Sequence, residues 1–507
     1  MWQYFTLKDV RVISHYLGVL IMFSSLMYVL PLLTAIVFGE WEPASRYLLA
    51  AGISLLAGQA LRFARIQPTR LNRQQALAVT GLAWIVLALF ASIPLYHSGH
   101  YLTYMDALFD GVSGLTTTGA TVITDLEHLS YADNMFRFMM HLLGGLGLIV
   151  IALSLGLLGK QNGNSLYTSE ARSEHVVPNV VQTTRLIARI SLIFILITTL
   201  VLTFACMFKG MKATHAVLHA FWVSISGFMT GGFTPTSQSI MYYHSFPVEF
   251  FLMVIMICGA VNFALHVEVW KGHLRDFFRD LEVKTMVIWL CAMAVVIAAS
   301  LSASSSFSDL PGMLRRGLFM IVSAFSTTGF MNITSNELVT VFSSGAFLTL
   351  AMMMAVGGGG GSTAGGLKLR RVGIIAKSIV ATIKETLSPD SARVKVTYTH
   401  IGQQQLTQDT VKEALTVFML FVVTYAIGAL AGIAYGYEAT QAIFDSVAMA
   451  SNGGLATIVS PGMPGGLEAI YIFMMWAGRL EFVTLLALVV EIAVSLDPRR
   501  HRRRSSR

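Results

Sequence analysis

Charge is scarce in this chain. Asp, Glu, Lys and Arg make up 12% of its 507 residues, about half the share usual in a soluble domain. Hydrophobic residues reach 55%, and uncharged apolar runs of bilayer-spanning length recur along the sequence. This excludes an ordinary soluble protein and predicts a multi-pass membrane protein. Cysteine is nearly missing. Cys206, Cys258 and Cys291 are odd in number and each lies in an apolar stretch, so packing is expected of them rather than a disulfide framework or thiolate metal site. No P-loop occurs, and no GxGxxG follows a strand, so no nucleotide or other cofactor is expected on this chain. No Ser-His or paired-aspartate set recurs at matched depth, so an enzyme is not expected. The net charge of +8 is spread as a topology signal and does not call for nucleic acid.

What is present is a fourfold repeat. Ser113-Gly-Leu-Thr-Thr-Thr-Gly119, Ser226-Gly-Phe-Met-Thr-Gly-Gly232, Ser323-Ala-Phe-Ser-Thr-Thr-Gly329 and Ala448-Met-Ala-Ser-Asn-Gly-Gly454 all place glycine at the seventh position. The intervals of 113, 97 and 125 residues each leave room for two crossings and a re-entrant loop.

Apolar runs predict ten spans near 12–38, 45–66, 74–96, 134–158, 183–208, 247–268, 283–303, 344–384, 410–436 and 466–495. The first is read as a retained helix, being too long for a signal-peptide core. Four shorter apolar segments, 105–116, 214–228, 312–326 and 438–450, are too short to cross. Each leads into one glycine motif. The predicted fold is all-α: two leading transmembrane helices (1–73), then four pseudo-symmetric helix–pore-loop–helix repeats around a single pore. The repeats occupy 74–160, 161–276, 277–384 and 410–496; a cytoplasmic loop (385–409) and a basic tail (497–507) complete the chain. With both termini cytoplasmic, 28 of the 35 Lys and Arg residues face inward, as the positive-inside rule requires. Asp106, Asp110, Asp125, Glu127, Asp133, Glu438, Asp445 and Glu468 then fall on the outer side, where half of them are expected to draw cations to the mouth.

Irregular backbone at membrane depth implies a shared polar cavity. Glycine reaches dihedrals closed to other residues, Thr and Ser add hydroxyls, and the half-helices aim partly negative ends inward. No Asp or Glu occurs in the four motifs, which points to a monovalent cation rather than a divalent one. The candidate filter is Thr116, Thr117, Thr118 and Gly119; Met229, Thr230, Gly231 and Gly232; Ser326, Thr327, Thr328 and Gly329; and Ser451, Asn452, Gly453 and Gly454. The second and fourth depart from the Thr-Thr-Gly form. In the eighth span Gly357, Gly358, Gly359, Gly360 and Gly361 open a ten-residue stretch with seven glycines, too many for a stable helix. A charge inside the tenth span, Arg479, must face a cavity or a partner, either in the pore or in an ion pair with another repeat. Glu481 lies only two residues on and is a poor partner. His141, His219, His266 and Met352–Met354 are read as packing residues.

These motifs, with Gly361-Ser-Thr-Ala-Gly-Gly-Leu-Lys368 and Gly478-Arg-Leu-Glu481, make the chain resemble the Trk/Ktr/HKT superfamily of potassium transporters over nearly its whole length, and most of all its bacterial Trk uptake subunits. The resemblance implies potassium uptake across the bacterial inner membrane. It casts the glycine stretch as an intramembrane gate beneath the filter and supports Arg479 as a pore barrier. Glycine in all four filters accompanies potassium selectivity in that family. The resemblance also implies a homodimer and a cytoplasmic nucleotide-binding subunit of TrkA type, docked near 385–409, where Val394, Val396 and Tyr398 alternate as a short strand. The tail Arg499–Arg504 is read as an anchor to anionic lipid. A sodium or mixed sodium/potassium conductor of the same fold stays open as an alternative, as does a secondary ion-coupled transporter.

Overall fold

The computed structural model describes residues 5–63, 71–147, 180–303, 310–340, 344–389, 395–480 and 482–496. The basic tail, Val394, Glu481 and residues 148–179 of the fourth-span and inner-loop predictions lie outside the described residues.

The chain opens with α1 (Leu7–Ser24), a 3-10 turn, α2 (Val29–Phe38) and α3 (Trp41–Arg62). α1 crosses α3 at Gly18 and Gly58, where a Cβ on Gly58 would lie 2.8 Å from the Gly18 carbonyl oxygen; small residues let helix backbones touch in a bilayer. Arg46 on α3 ties this pair to the first repeat, its Nη2 standing 3.0 Å from both carboxylate oxygens of buried Asp133.

Repeat one comprises α4 (Arg73–Tyr96), α5 (Tyr104–Leu115) and α6 (Tyr131–Leu146). Repeat two comprises α7 (Val180–Phe208), α8 (Ala213–Phe228), α9 (Phe246–Ala260), α10 (Phe263–Trp270) and α11 (Leu274–Arg279). Repeat three follows with α12 (Leu281–Ala303), α13 (Leu310–Phe325), α14 (Ser335–Thr340), α15 (Ser344–Val356) and α16 (Leu369–Leu387). After the hairpin β1 (Thr397–Thr399) and β2 (Gln403–Gln405), repeat four runs through α17 (Gln408–Ala434), α18 (Ala439–Ala450), α19 (Gly465–Leu480) and α20 (Phe482–Leu496). The four half-helices α5, α8, α13 and α18 fall within a few residues of their predicted positions. At 12 residues each, α5 and α18 reach about 18 Å, short of the roughly 30 Å needed to cross.

One closing span differs from expectation. The sixth bends by 104° between α9 and α10, where the Asn262 side chain accepts from the Ala264 amide at 2.9 Å and caps the new helix. In the tenth, residues 465–480 and 482–496 are helical, and the eighth breaks at its glycines as predicted. Hydropathy reports apolar length, which persists across a bend, so only the glycine break was visible in it. Among the described residues five helices are individually long and apolar enough to cross, or six counting the bent pair.

The acidic residues also need correcting. Asp106, Asp110, Asp133, Asp445 and Glu468 are buried rather than lining an outer surface, whereas Asp125, Glu127 and Glu438 are exposed. Asp110 accepts from the Val122 amide at 3.0 Å and the Thr121 hydroxyl at 2.6 Å. Asp445 likewise holds the Thr457 and Ile458 amides, each at 2.8 Å. These carboxylates fold the segment leaving the filter back against its half-helix.

Candidate functional site

Each half-helix ends in the same way. The Thr118, Gly231, Thr328 and Gly453 amides donate to carbonyls five residues back, at 2.8, 2.7, 3.0 and 2.7 Å. The amides just before them reach three residues back. This is a Schellman termination, whose left-handed residue is usually glycine. Here it is Thr117, Thr230, Thr327 and Asn452, with φ of 56°, 50°, 53° and 53°. A β-branched residue rarely accepts that conformation; three threonines held in it mark a stressed, over-determined segment.

The seventh-position glycines then close a ring. A Cβ on Gly119 would lie 2.1 Å from the Gly231 oxygen, one on Gly232 2.2 Å from Thr328 O, one on Gly329 2.8 Å from Gly453 O, and one on Gly454 2.0 Å from Thr118 O. Repeat one thus abuts two, two abuts three, three abuts four, and four returns to one. The sixteen candidate filter residues are brought together, all of them buried apart from Gly119 and Gly454, which are partly buried. Only glycine fits where one backbone meets the next.

The two irregular motifs have local causes. Filters one and three carry Thr118 and Thr328 where two and four carry Gly231 and Gly453. A Cβ at Gly231 would lie 2.3 Å from Nδ1 of His141, and one at Gly453 2.7 Å from Sδ of Met354. His141, stacked on Phe233 at 4.3 Å, therefore fills the space a threonine would need. It packs as expected, but against the filter itself. His266 meets the Cys258 carbonyl and His219 the Tyr243 hydroxyl, also packing roles.

Hydroxyls expected as further ligands also brace the loops. Thr116 Oγ1 donates to Val112 O at 2.7 Å and meets Thr118 Oγ1 at 2.8 Å; Ser326 and Thr328 meet at 2.7 Å. Ser451 bonds to the Val447 carbonyl.

Against the ring lies the glycine stretch. The Gly359 amide donates to Ala260 O at 2.8 Å and the Gly365 amide to Thr327 Oγ1 at 2.7 Å. A Cβ on Gly365 would stand 2.0 Å from the Ser451 oxygen. Thr363 is the hub: its hydroxyl lies 3.0 Å from Phe228 O, 2.8 Å from Gly259 O and 3.2 Å from Thr230 Oγ1. Thr363 lies in the Gly361–Lys368 motif, where nothing in the sequence marks it as the hub. At the far end Lys368 has φ of 75° just before α16.

Arg479 reaches this assembly from α19. Its Nη1 lies 3.0 Å from the Thr363 carbonyl and 3.2 Å from Thr117 Oγ1, its Nη2 bonds to the Gly144 carbonyl, and the guanidinium lies 5.6 Å from the Trp84 ring centroid. It thereby joins filter one, the loop below and the end of α6. Trp84 gave no signal in the sequence beyond an apolar span.

The sequence matches the TrkH family, described as cation transport proteins, over residues 45–495. It is 30% identical over 500 residues to the Trk system potassium uptake protein TrkH of Halomonas elongata, covering 95% of this chain and 98% of that one. It is 29% identical over 484 residues to an uncharacterised cation transporter of Methanocaldococcus jannaschii, covering 95% and 96%. The crystal structure of the potassium transporter TrkH from Vibrio parahaemolyticus has the same fold, with a TM-score of 0.79 at 24% identity over 96% of this chain and 98% of that one. With four half-helices, a closed glycine ring and a match across nearly its full length, this chain belongs to the TrkH family of cation transport proteins.

Proposed function

We propose that this chain takes up potassium across the bacterial inner membrane, with both termini cytoplasmic and the four-loop ring toward the outside. The observation that carries the reading is the cyclic contact of Gly119, Gly232, Gly329 and Gly454 with the next repeat's carbonyls. Left-handed residues at alternate positions turn successive peptide planes alike, presenting carbonyls to a dehydrated ion as a potassium filter does. The ring has no carboxylate, which suits a monovalent ion. Potassium is the ion named for the Halomonas elongata relative. Gly357–Gly361 and Arg479 form the gate, the loop obstructing the path and the guanidinium repelling cations while the loop is down. The 385–409 face receives a nucleotide-binding subunit of TrkA type, the protein pairs as a homodimer with one pore per protomer, and the basic tail holds anionic lipid. No reaction chemistry is assigned to it.

The test is growth of an uptake-deficient bacterium on limiting potassium, paired with flux into proteoliposomes under sodium competition. Rescue with sodium-insensitive flux is expected. Sodium entering as readily as potassium establishes the mixed conductor instead, and flux requiring a proton or sodium gradient establishes the coupled transporter.

A further inference from the structure

The gate loop has a second set of partners, outside the pore. The Gly360 amide donates to Glu282 Oε1 at 2.8 Å, and Asn262 Nδ2, at the bend between α9 and α10, lies 3.4 Å from Glu282 Oε2. Glu282 sits in the first turn of α12, and its amide donates to Asp280 Oδ1 at 2.8 Å. The other face of Asp280 holds the hairpin: His400 Nδ1 lies 3.2 Å from Oδ2, and the Ile401 amide donates to the same oxygen at 3.2 Å. Asp280, Glu282 and His400 are each no more than 2% exposed. The hairpin is also seated by packing, with buried Tyr398 clustered with Leu281 of α12, Ile374 of α16 and Ala414 of α17. A displacement of the hairpin therefore cannot leave the start of α12 where it is, because buried bonds of this kind are costly to leave unmade.

We propose that Glu282 is a positioning residue for the gate: it holds the glycine loop down through the Gly360 amide, and the His400–Asp280 contact makes that hold sensitive to the hairpin. This rests on the reading of the loop as the gate. It assigns the 397–405 hairpin as the lever on which a partner at that face would act. A carboxylate suits the task, since a charged acceptor roughly doubles the strength of a hydrogen bond from an amide, and Glu282 adds to the bonds that Gly359, Thr363 and Gly365 make on the ring side of the loop.

The test uses the full chain in proteoliposomes, with the three native cysteines replaced and Ser362→Cys as a reporter in the loop. Potassium flux and the rate at which a cytoplasm-side thiol reagent modifies position 362 are both read. Glu282→Gln is expected to raise both by about tenfold, His400→Ala to raise both by a smaller factor, and Glu282→Asp to restore most of the hold. If Gly358→Ala alters flux while Glu282→Gln and His400→Ala change neither flux nor labelling, the loop is the gate and this assignment is overturned. If Glu282→Gln opens the loop to reagent with flux unchanged, the gate reading fails and the anchor stands. Size-exclusion profiles identify misfolded variants, for which Glu282→Asp gives the decisive comparison.

Discussion

The Nη1 atom of Arg479 donates to the backbone carbonyl of Thr363 at 3.0 Å. One bond thus joins α19 to the glycine loop between α15 and α16, beside the four-loop ring. The same nitrogen lies 3.2 Å from Thr117, so the loop cannot drop from the ring without the guanidinium losing or changing partners. The positive charge and the glycine loop are thus tied at one point.

Arg479→Ala removes the charge and the tie at once. Potassium flux in proteoliposomes is expected to rise by about tenfold, the factor set by a charged hydrogen bond of about 1.4 kcal/mol. Arg479→Lys keeps the charge but not the two-nitrogen reach and should fall between. A variant that fails to fold would instead mark Arg479 as a structural partner.

Thr363→Val keeps the shape and deletes the hydroxyl that bonds Phe228 O and Gly259 O. Leaving buried carbonyls short of a donor costs about 1–3 kcal/mol. Thermal unfolding of the purified protein should fall by several degrees, and resting flux should rise because the loop is held less firmly.

Gly119→Ala places a methyl 2.1 Å from the Gly231 oxygen and fixes a side chain at φ of 83°. Either effect alone costs more than about 1 kcal/mol. Potassium uptake is expected to be lost while the protein still reaches the membrane; uptake at wild-type selectivity would refute the ring.

The irregular second motif yields a paired test. Gly231→Thr restores the Thr-Thr-Gly form yet collides with His141, so uptake should fall. With His141→Ala the space opens, and the double variant should recover relative to Gly231→Thr alone. Growth on limiting potassium across all four combinations measures this coupling, which strict additivity would disprove.

The leading helices can be checked separately. Asp133→Ala leaves buried Arg46 with only the exposed Glu42 carboxylate, 3.6 Å away, and breaking a buried pair costs about 3–5 kcal/mol. Unfolding temperature should drop sharply, with the potassium-to-sodium preference of the surviving protein unchanged.

Much of this was legible in sequence because it is local. Apolar length with a glycine motif located all four half-helices, and seven glycines in ten residues located the break in the eighth span. Those signals depend on backbone propensity and hydropathy, which act over a few neighbours. The bend at Asn262 was not legible, because the apolar run passes through it unchanged. Nor was the burial of Asp106, Asp110, Asp133, Asp445 and Glu468; a carboxylate near a predicted loop reads as solvated until its partners, such as the amides of Val122 and Ile458, are known.

The sequence by itself determined that four equivalent loops exist and that they carry no charge. Only the tertiary structure decided that they close on one another, glycine against carbonyl, because that contact joins residues about a hundred positions apart. It also decided why the ring is unequal: His141 and Met354 occupy, from other helices, the volume that a threonine at position 231 or 453 would need.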